Sequence, residues 1–340
     1  MKILDCTIRD GGYINNWNFN KLQVCELYKT LIKANIDIIE VGFMDNISIY
    51  NNKYVSCWRK CNNKIIKDTF KDIYNKNLKI SVMINYGTFD INNFIEKDKS
   101  LIDIIRIAFH KKNLKDIFEY AKILKNLGYI ICVNAMGTIN YNKEDLLFLC
   151  KSIIEYKIDY LYIADSYGSI TTLELQELIC NIKNNFIKIN DKYKYKLGFH
   201  AHNNTQRALM NAIKCVELNI DIIDTTMYGM GRGAGNLCTE LFLSELSKKN
   251  IKYSNDNIKY CIKYIYNYLL LNDNNFTIKW GYDLIFFITG HFNIHPNYGS
   301  KIKEYKIQDI ELIWNIIELI NKNNKGSNFD LEYFNSIINI

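Results

Sequence analysis

Short apolar runs alternating with longer segments of helical spacing constrain this chain more than any other feature. The runs KILDCTIR (2–9), DIIEVGFM (37–44), LKISVMIN (78–85), IDIIRIAFH (102–110), YIICVNAM (129–136), IDYLYIAD (158–165), KLGFHAH (196–202) and IDIIDTTM (220–227) have the length and apolar content of buried strands. Between them, residues 20–35, 113–127, 143–156, 171–186 and 205–218 show helical spacing, and Asn113, Asn142, Thr171 and Asn204 stand where capping residues open helices. Eight strands, each followed by a helix, over about 250 residues is the count of a (β/α)8 TIM barrel. A doubly wound open sheet is the alternative, but RDGGYINNW after the first run contains no G-x-G-x-x-G turn.

From about residue 250 the strand rhythm stops, and IKYCIKYIYNYLLL, GYDLIFFITGHFNIHPNYGS, IQDIELIWNIIELI and LEYFNSIINI follow with helical patterns. The expected organisation is a catalytic barrel over 1–250 and an all-helical C-terminal extension over 251–340. The single proline, Pro296, is expected to end one of these helices, since proline cannot continue it.

At 340 residues, 48% hydrophobic and 23% charged, the chain can bury a sizeable core and is neither disordered nor fibrous in composition. The net charge of +7 is scattered among asparagines and isoleucines rather than gathered into blocks. That pattern reads as a solvated surface and not as a nucleic-acid site, while remaining compatible with attraction for anionic substrates. The ten cysteines sit mostly inside apolar runs, without a secretory leader or a run long enough to span a bilayer. They read as reduced core residues of a cytoplasmic protein that does not enter membranes. Cys57 and Cys61 lack a second pair at ligand spacing, so zinc is not expected there.

The first run is chemically odd. Read as a strand, LDCTIRD places Asp5, Thr7 and Arg9 on one face with Asp10 at its end. A barrel's active site lies at the C-terminal ends of its strands, and these ends are polar throughout: Arg9 and Asp10, Asp45, Asn85, His110, Asn134, Asp165, His200 and His202, and Thr226. In GFHAHNN, His200 and His202 share one strand face. Such a pair is by default two satisfied polar groups, but the company of Arg9 and Asp10 favours a divalent metal with Asp10 as third ligand. Arg9 can stabilise an oxyanion on a bound carbonyl substrate or form an ion pair with Glu40 of IIEVGF, and the two are compatible. After the eighth run, MYGMGRGAGN offers glycines, Gly231 and Gly233 among them, that permit close approach of an anion or carboxylate. Asn236 could reach the metal or cap the next helix. Asn134, Asp165 and Thr226 are expected to face substrate with these glycines.

DCTIRDG (5–11), EVGF (40–43), ADSYG (164–168), HAHNN (200–204) and GRGAGN (231–236), in that order, resemble the metal-dependent TIM-barrel aldolases and Claisen-condensing enzymes. These comprise 4-hydroxy-2-oxovalerate aldolase, hydroxymethylglutaryl-CoA lyase, isopropylmalate synthase and homocitrate synthase. The resemblance spans about residues 1 to 245. It implies Mn2+ or Mg2+ held by Asp10, His200 and His202, a 2-oxo acid such as pyruvate chelating the metal, and Arg9 steadying the enolate. The absence of cysteine from 229–236, where the hydroxymethylglutaryl-CoA enzyme carries a catalytic one, and the helical extension favour the 4-hydroxy-2-oxo acid aldolases, which release pyruvate and an aldehyde. An acyl-CoA-dependent condensing enzyme and a non-catalytic partner subunit are the alternatives. The aldolases also suggest a homodimer and an acetaldehyde dehydrogenase partner. One departure stands out: they carry a catalytic histidine four positions after the arginine, where this chain has Tyr13. A phenol of pKa about 10 is a poorer base than imidazole at neutral pH. His295 and Tyr298 in the extension are further candidates for the proton carrier, because a tyrosine of the extension reaches the barrel mouth in the aldolases.

Overall fold

Parallel strands covered on both faces need apolar residues at nearly every position, and the eight runs supply them. The computed structural model describes residues 1–46, 56–190, 192, 194–270 and 280–338. Its strands are β1 (Lys2–Asp5), β2 (Ile38–Phe43), β3 (Lys79–Asn85), β4 (Ile102–Phe109), β5 (Ile130–Met136), β6 (Tyr160–Asp165), β7 (Leu197–Ala201) and β8 (Ile222–Thr225). All pair in parallel with their sequence neighbours, and β1 also pairs with β8, so the sheet closes into the TIM barrel. Alternation sends Leu4, Ile38, Ile104, Cys132, Tyr162 and Ile222 into one interior cluster, while Ile3, Ile39, Val133 and Ile223 pack in the larger core under the helices.

The helices are α1 (Gly12–Asn15), α2 (Lys21–Lys33), α3 (Asn63–Phe70), α4 (Ile117–Asn126), α5 (Lys143–Glu155), α6 (Thr172–Ile189), α7 (Ala208–Glu217), α8 (Thr239–Lys248), α9 (Asn255–Tyr264), α10 (Leu284–His291), α11 (Pro296–Glu304), α12 (Ile310–Lys322) and α13 (Leu331–Ile338). Asn142 and Thr171 open α5 and α6 with reciprocal capping boxes. Asn113 and Asn204 do not cap helices. Asn113 ends a 3-10 turn, α4 and α7 start several residues further on, and the Asn204 amide bridges the Tyr167 carbonyl and the Ala234 N–H.

Two sequence expectations change. β1 stops at Asp5 and does not run to Arg9. The Asp5 carboxylate accepts the Thr7 N–H at 3.0 Å and the Thr7 hydroxyl at 2.9 Å, and the Asp10 N–H turns back to the Cys6 carbonyl. An Asp that bonds its own backbone two residues on competes with the strand ladder and turns the chain. Asp5, sharing the parity of Ile3, therefore faces the helical layer near Thr239 and not the barrel interior. Pro296, for its part, opens α11, where a missing N–H is tolerated, while α10 has already ended at His291.

Rhythm alone assigns α9 to the extension, yet Cys261 and Tyr264 pack in the barrel's core with α2. A second core, around Ile288, Tyr298, Ile317 and Phe334, joins α10 to α13. The last residue of IKYCIKYIYNYLLL and the last two of LEYFNSIINI lie outside the described residues. Among the described residues no helix is long and apolar enough to cross a membrane, and the ten cysteines form no disulfide.

Candidate active site

The turn that ends β1 lifts Arg9 and Asp10 above the strand and over the C-terminal mouth of the barrel. Beneath them a chain of alternating charge crosses the interior. Arg106 on β4, with the same inward parity as Ile104, donates to Glu40 on β2 at 3.1 Å and to Asp224 on β8 at 2.6 Å. Glu40 also accepts Arg9 Nε at 2.7 Å, and Arg9 Nη1 donates to Asp10 at 2.6 Å. Asp224 reaches His200 Nδ1 at 2.9 Å. All of these side chains are buried. Such groups persist away from water only when paired and hydrogen-bonded.

Two guanidiniums face three carboxylates in this network, which leaves one negative charge in excess to set against a cation. Burial opposes ionisation of Asp10, but the Arg9 guanidinium and the two histidines outweigh it and hold the carboxyl below the usual range. Asp224 is likewise held down, burial being offset by Arg106 and His200. Burial pushes His202 down to about 3, so its imidazole is neutral and free to donate a lone pair.

Asp10, His200 and His202 bring their ligand atoms within 4.8 Å of one another. Asp224 on His200 Nδ1 orients the ring and leaves Nε2 for an ion, the usual support of a metal-bound histidine. Asn236 donates to Asp10 at 2.5 Å and to the Met230 carbonyl at 3.0 Å, while its Oδ1 is buried without a partner. It does not cap α8, whose N-cap is Cys238. Its placement needs Gly231, because a Cβ there would lie 2.2 Å from the Asn236 amide nitrogen and 3.0 Å from Asp10. The donor set of oxygens and imidazoles, with an excess negative charge and an orphaned carbonyl oxygen, fits a divalent cation. Cys6, His200 and Asp224 lie equally close together, but Asp224 is taken by Arg106, and burial pushes the Cys6 thiol well up.

Above this floor opens a cavity of about 900 Å3. Arg9, Asp10, Tyr13, Asn134, His200, His202 and His295 all line it. Arg9 Nη2 and Asn134 Oδ1 are buried and unpartnered, as expected of groups kept for a ligand. His295 caps α11 by accepting the Asn297 N–H on Nδ1 at 3.2 Å. Burial followed by Arg232 brings it to about 3, so it is neutral with its proton on Nε2.

Other candidates lie elsewhere. Tyr298 is fully buried in the core of the extension, its hydroxyl donating to the Lys325 and Asn328 carbonyls and accepting the Asp330 N–H. Asp165 is turned out of the cavity and holds the following loop through the Ser169 and Ile170 N–H groups. Thr226 is buried beneath the glycine loop with an unpartnered hydroxyl, and Gly233 packs on Asn204 and Phe286. Sequence reasoning missed Arg106, Asp224 and Arg232. Period-two parity marks the first two, since each continues an inward-facing series on its strand. Arg232 sits inside GRG, where the glycines drew attention from it.

The fold and site together define a TIM-barrel protein built around a candidate three-ligand cation centre at its mouth. The chain belongs to the HMGL-like family, whose model matches residues 1–261. It is 28% identical over 250 residues to 4-hydroxy-2-oxovalerate aldolase of Carboxydothermus hydrogenoformans, an alignment covering 73% of this chain and 71% of the relative. Among solved structures, the N-terminal domain of a candidate aldolase from Bacteroides vulgatus superposes with a TM-score of 0.74 at 29% identity, covering 92% of this chain and 98% of that one. An HMG-CoA lyase from Bacillus subtilis shares the fold at TM-score 0.59 and 15% identity, covering 77% of this chain and 90% of that one.

Proposed function

We propose that the protein is a divalent-metal-dependent aldolase that cleaves or forms a 4-hydroxy-2-oxo acid, with pyruvate as the enolate half. The observation that carries this reading is the convergence of Asp10, His200 and His202 beside Arg9, whose Nη2 is buried without a partner on the cavity floor. Mg2+ or Mn2+ suits a donor set of carboxylate, amide oxygen and imidazole without thiolate. Bound there, the cation supplies Lewis acidity toward the oxygens of a 2-oxo acid.

The chain's own groups do the rest. Arg9 is fixed at Nε by Glu40 and at Nη1 by Asp10, so the unpartnered Nη2 is left to donate to the oxygen on which negative charge develops. Tyr13, at the rim with the Arg232 guanidinium 4.3 Å over its ring, is the group positioned to move the proton of the 4-hydroxyl. His295 has its lone pair on Nδ1 engaged, so it serves as a hydrogen-bond donor through Nε2 and not as a base. Asn134 orients the oxo acid. A cytoplasmic setting, supported by ten unpaired cysteines, belongs to the same proposal. So do a homo-oligomer and an aldehyde dehydrogenase partner, which rest on the resemblance to the aldolases.

The test is titration of metal-stripped protein with Mn2+, followed by the spectroscopic signal of the free ion. One site per chain is expected, lost in His200→Ala and in Asp10→Asn. Binding that both variants retain unchanged would place the ion elsewhere and remove the basis of the reading.

A further inference from the structure

Besides Arg9, two cationic side chains, Arg232 and Lys112, line the cavity without an ion-pair partner among the described residues. Arg232 lies over the Tyr13 ring and donates to Asn297 Oδ1 at 3.0 Å, both neutral partners, and its buried Nε has none. Lys112, just beyond β4, is an exposed lysine that lines the same cavity without an acidic partner among the described residues. Among the described residues the one carboxylate lining the cavity, Asp10, is already engaged by Arg9 and Asn236. From the extension, Asn321, Asn324 and Asn328 face the space, and their amides make no hydrogen bond among the described residues. The volume of about 900 Å3 is at the upper end of ligand pockets, roughly 300–1,000 Å3, and far exceeds what pyruvate and a two-carbon aldehyde need.

We propose that the aldehyde half of the substrate carries an anionic group, a carboxylate or a phosphate, received by Arg232 and Lys112. This rests on the aldolase reading above and deepens it. Arg232 is half-buried and makes no ion pair among the described residues, and an anion bound there gains charge-assisted hydrogen bonds. An alkyl aldehyde would leave the buried Arg232 Nε unpartnered. Arg232 also acts on His295, where after burial it is the largest contributor holding the imidazole neutral. In the condensing direction C3 of pyruvate gives up a proton, and that electron pair forms the bond to the aldehyde carbon. The carbonyl π pair moves to oxygen, which takes up a proton and becomes the 4-hydroxyl. The anionic tail is unchanged, and nothing is oxidised or reduced.

The Mn2+-loaded protein is assayed for condensation of pyruvate with matched aldehydes: succinic semialdehyde against butanal, and glyceraldehyde 3-phosphate against glyceraldehyde. The charged member of at least one pair is expected to show a kcat/KM at least about tenfold higher, and whichever pair shows it identifies carboxylate or phosphate. That ratio should fall toward one in Arg232→Gln and Lys112→Gln, with thermal melts confirming that both variants fold. Calorimetric titration with glycerol 3-phosphate and with succinate, neither of which can react, should show binding that weakens in the same variants. Pyruvate enolisation without preference for either charged aldehyde overturns the inference and leaves the aldolase reading standing. Absence of pyruvate enolisation overturns both.

Discussion

Arg9 is the residue on which most of this site converges, and its role depends on geometry more than on charge. Two of its nitrogens are fixed by Glu40 and Asp10, and the third is free. Lysine cannot reproduce that fork, so Arg9→Lys should lower pyruvate enolisation by about 100-fold without weakening Mn2+ binding; equal loss of both would mean that Arg9 acts only by holding Asp10. Tyr298 calls for the opposite split. Its hydroxyl serves three backbone groups of the extension, so Tyr298→Phe should cost about 1–3 kcal/mol of stability in denaturant unfolding and leave kcat unchanged. At this scale the sequence was legible where polar residues gather at the barrel mouth, as for His200 and His202 at the end of β7, while Arg9 and Asp10 reach the same place through the turn after β1 and not as its last residues. It was silent on Tyr298, because nothing local says whether a tyrosine two residues after a helix-opening proline faces a barrel mouth or its own helical bundle.

The charged layer inside the barrel is a property of elements, since β2, β4 and β8 each contribute one member at the same level. Removing the central cation strands two carboxylates, so Arg106→Leu should destabilise the fold by roughly 3–5 kcal/mol, read as a lowered melting temperature. Glu40→Gln in that background should return part of the loss. The turn after β1 carries its own pH signature. Burial raises Asp5 from 3.8 to about 7 against the hydrogen bonds of Thr7. The folded chain therefore keeps a proton that the unfolded chain has released, and stability present below about pH 4 is lost as pH rises toward 7. Melting curves from pH 4 to 7.5 should flatten in Asp5→Asn, whereas an unchanged slope would assign the dependence to other groups. Strand parity carried a signal for this layer that the sequence reading did not take up, since Arg106 follows Ile104 and Asp224 follows Ile222. The end of β1 was misread because Asp5 competes with the ladder through its side chain, which alternation alone does not register.

For the whole molecule, barrel and extension share one cavity: the barrel supplies the ligand set and the helices from α10 onward supply its cover. We propose that the independently packed unit begins at α10 and not at residue 250, since α9 and Trp280 pack on the barrel's core. Helical spacing announced the extension, but nothing in NKNNKGSN indicated that its asparagines line the cavity, because that depends on how α12 docks over the mouth. Ion binding should register globally as well. A ligand at 100 times its Kd stabilises by about 2.7 kcal/mol, so saturating Mn2+ should raise the melting temperature of the native chain and not that of His202→Ala.

The central claim is that this site enolises pyruvate, and exchange of the pyruvate methyl protons in D2O, followed by NMR, tests it without reference to any aldehyde. Exchange is expected with Mn2+ or Mg2+, absent after metal removal, and abolished in His200→Ala while a control variant such as Tyr298→Phe retains it. Metal-loaded, folded protein that produces no exchange above the buffer rate would contradict the account at its base.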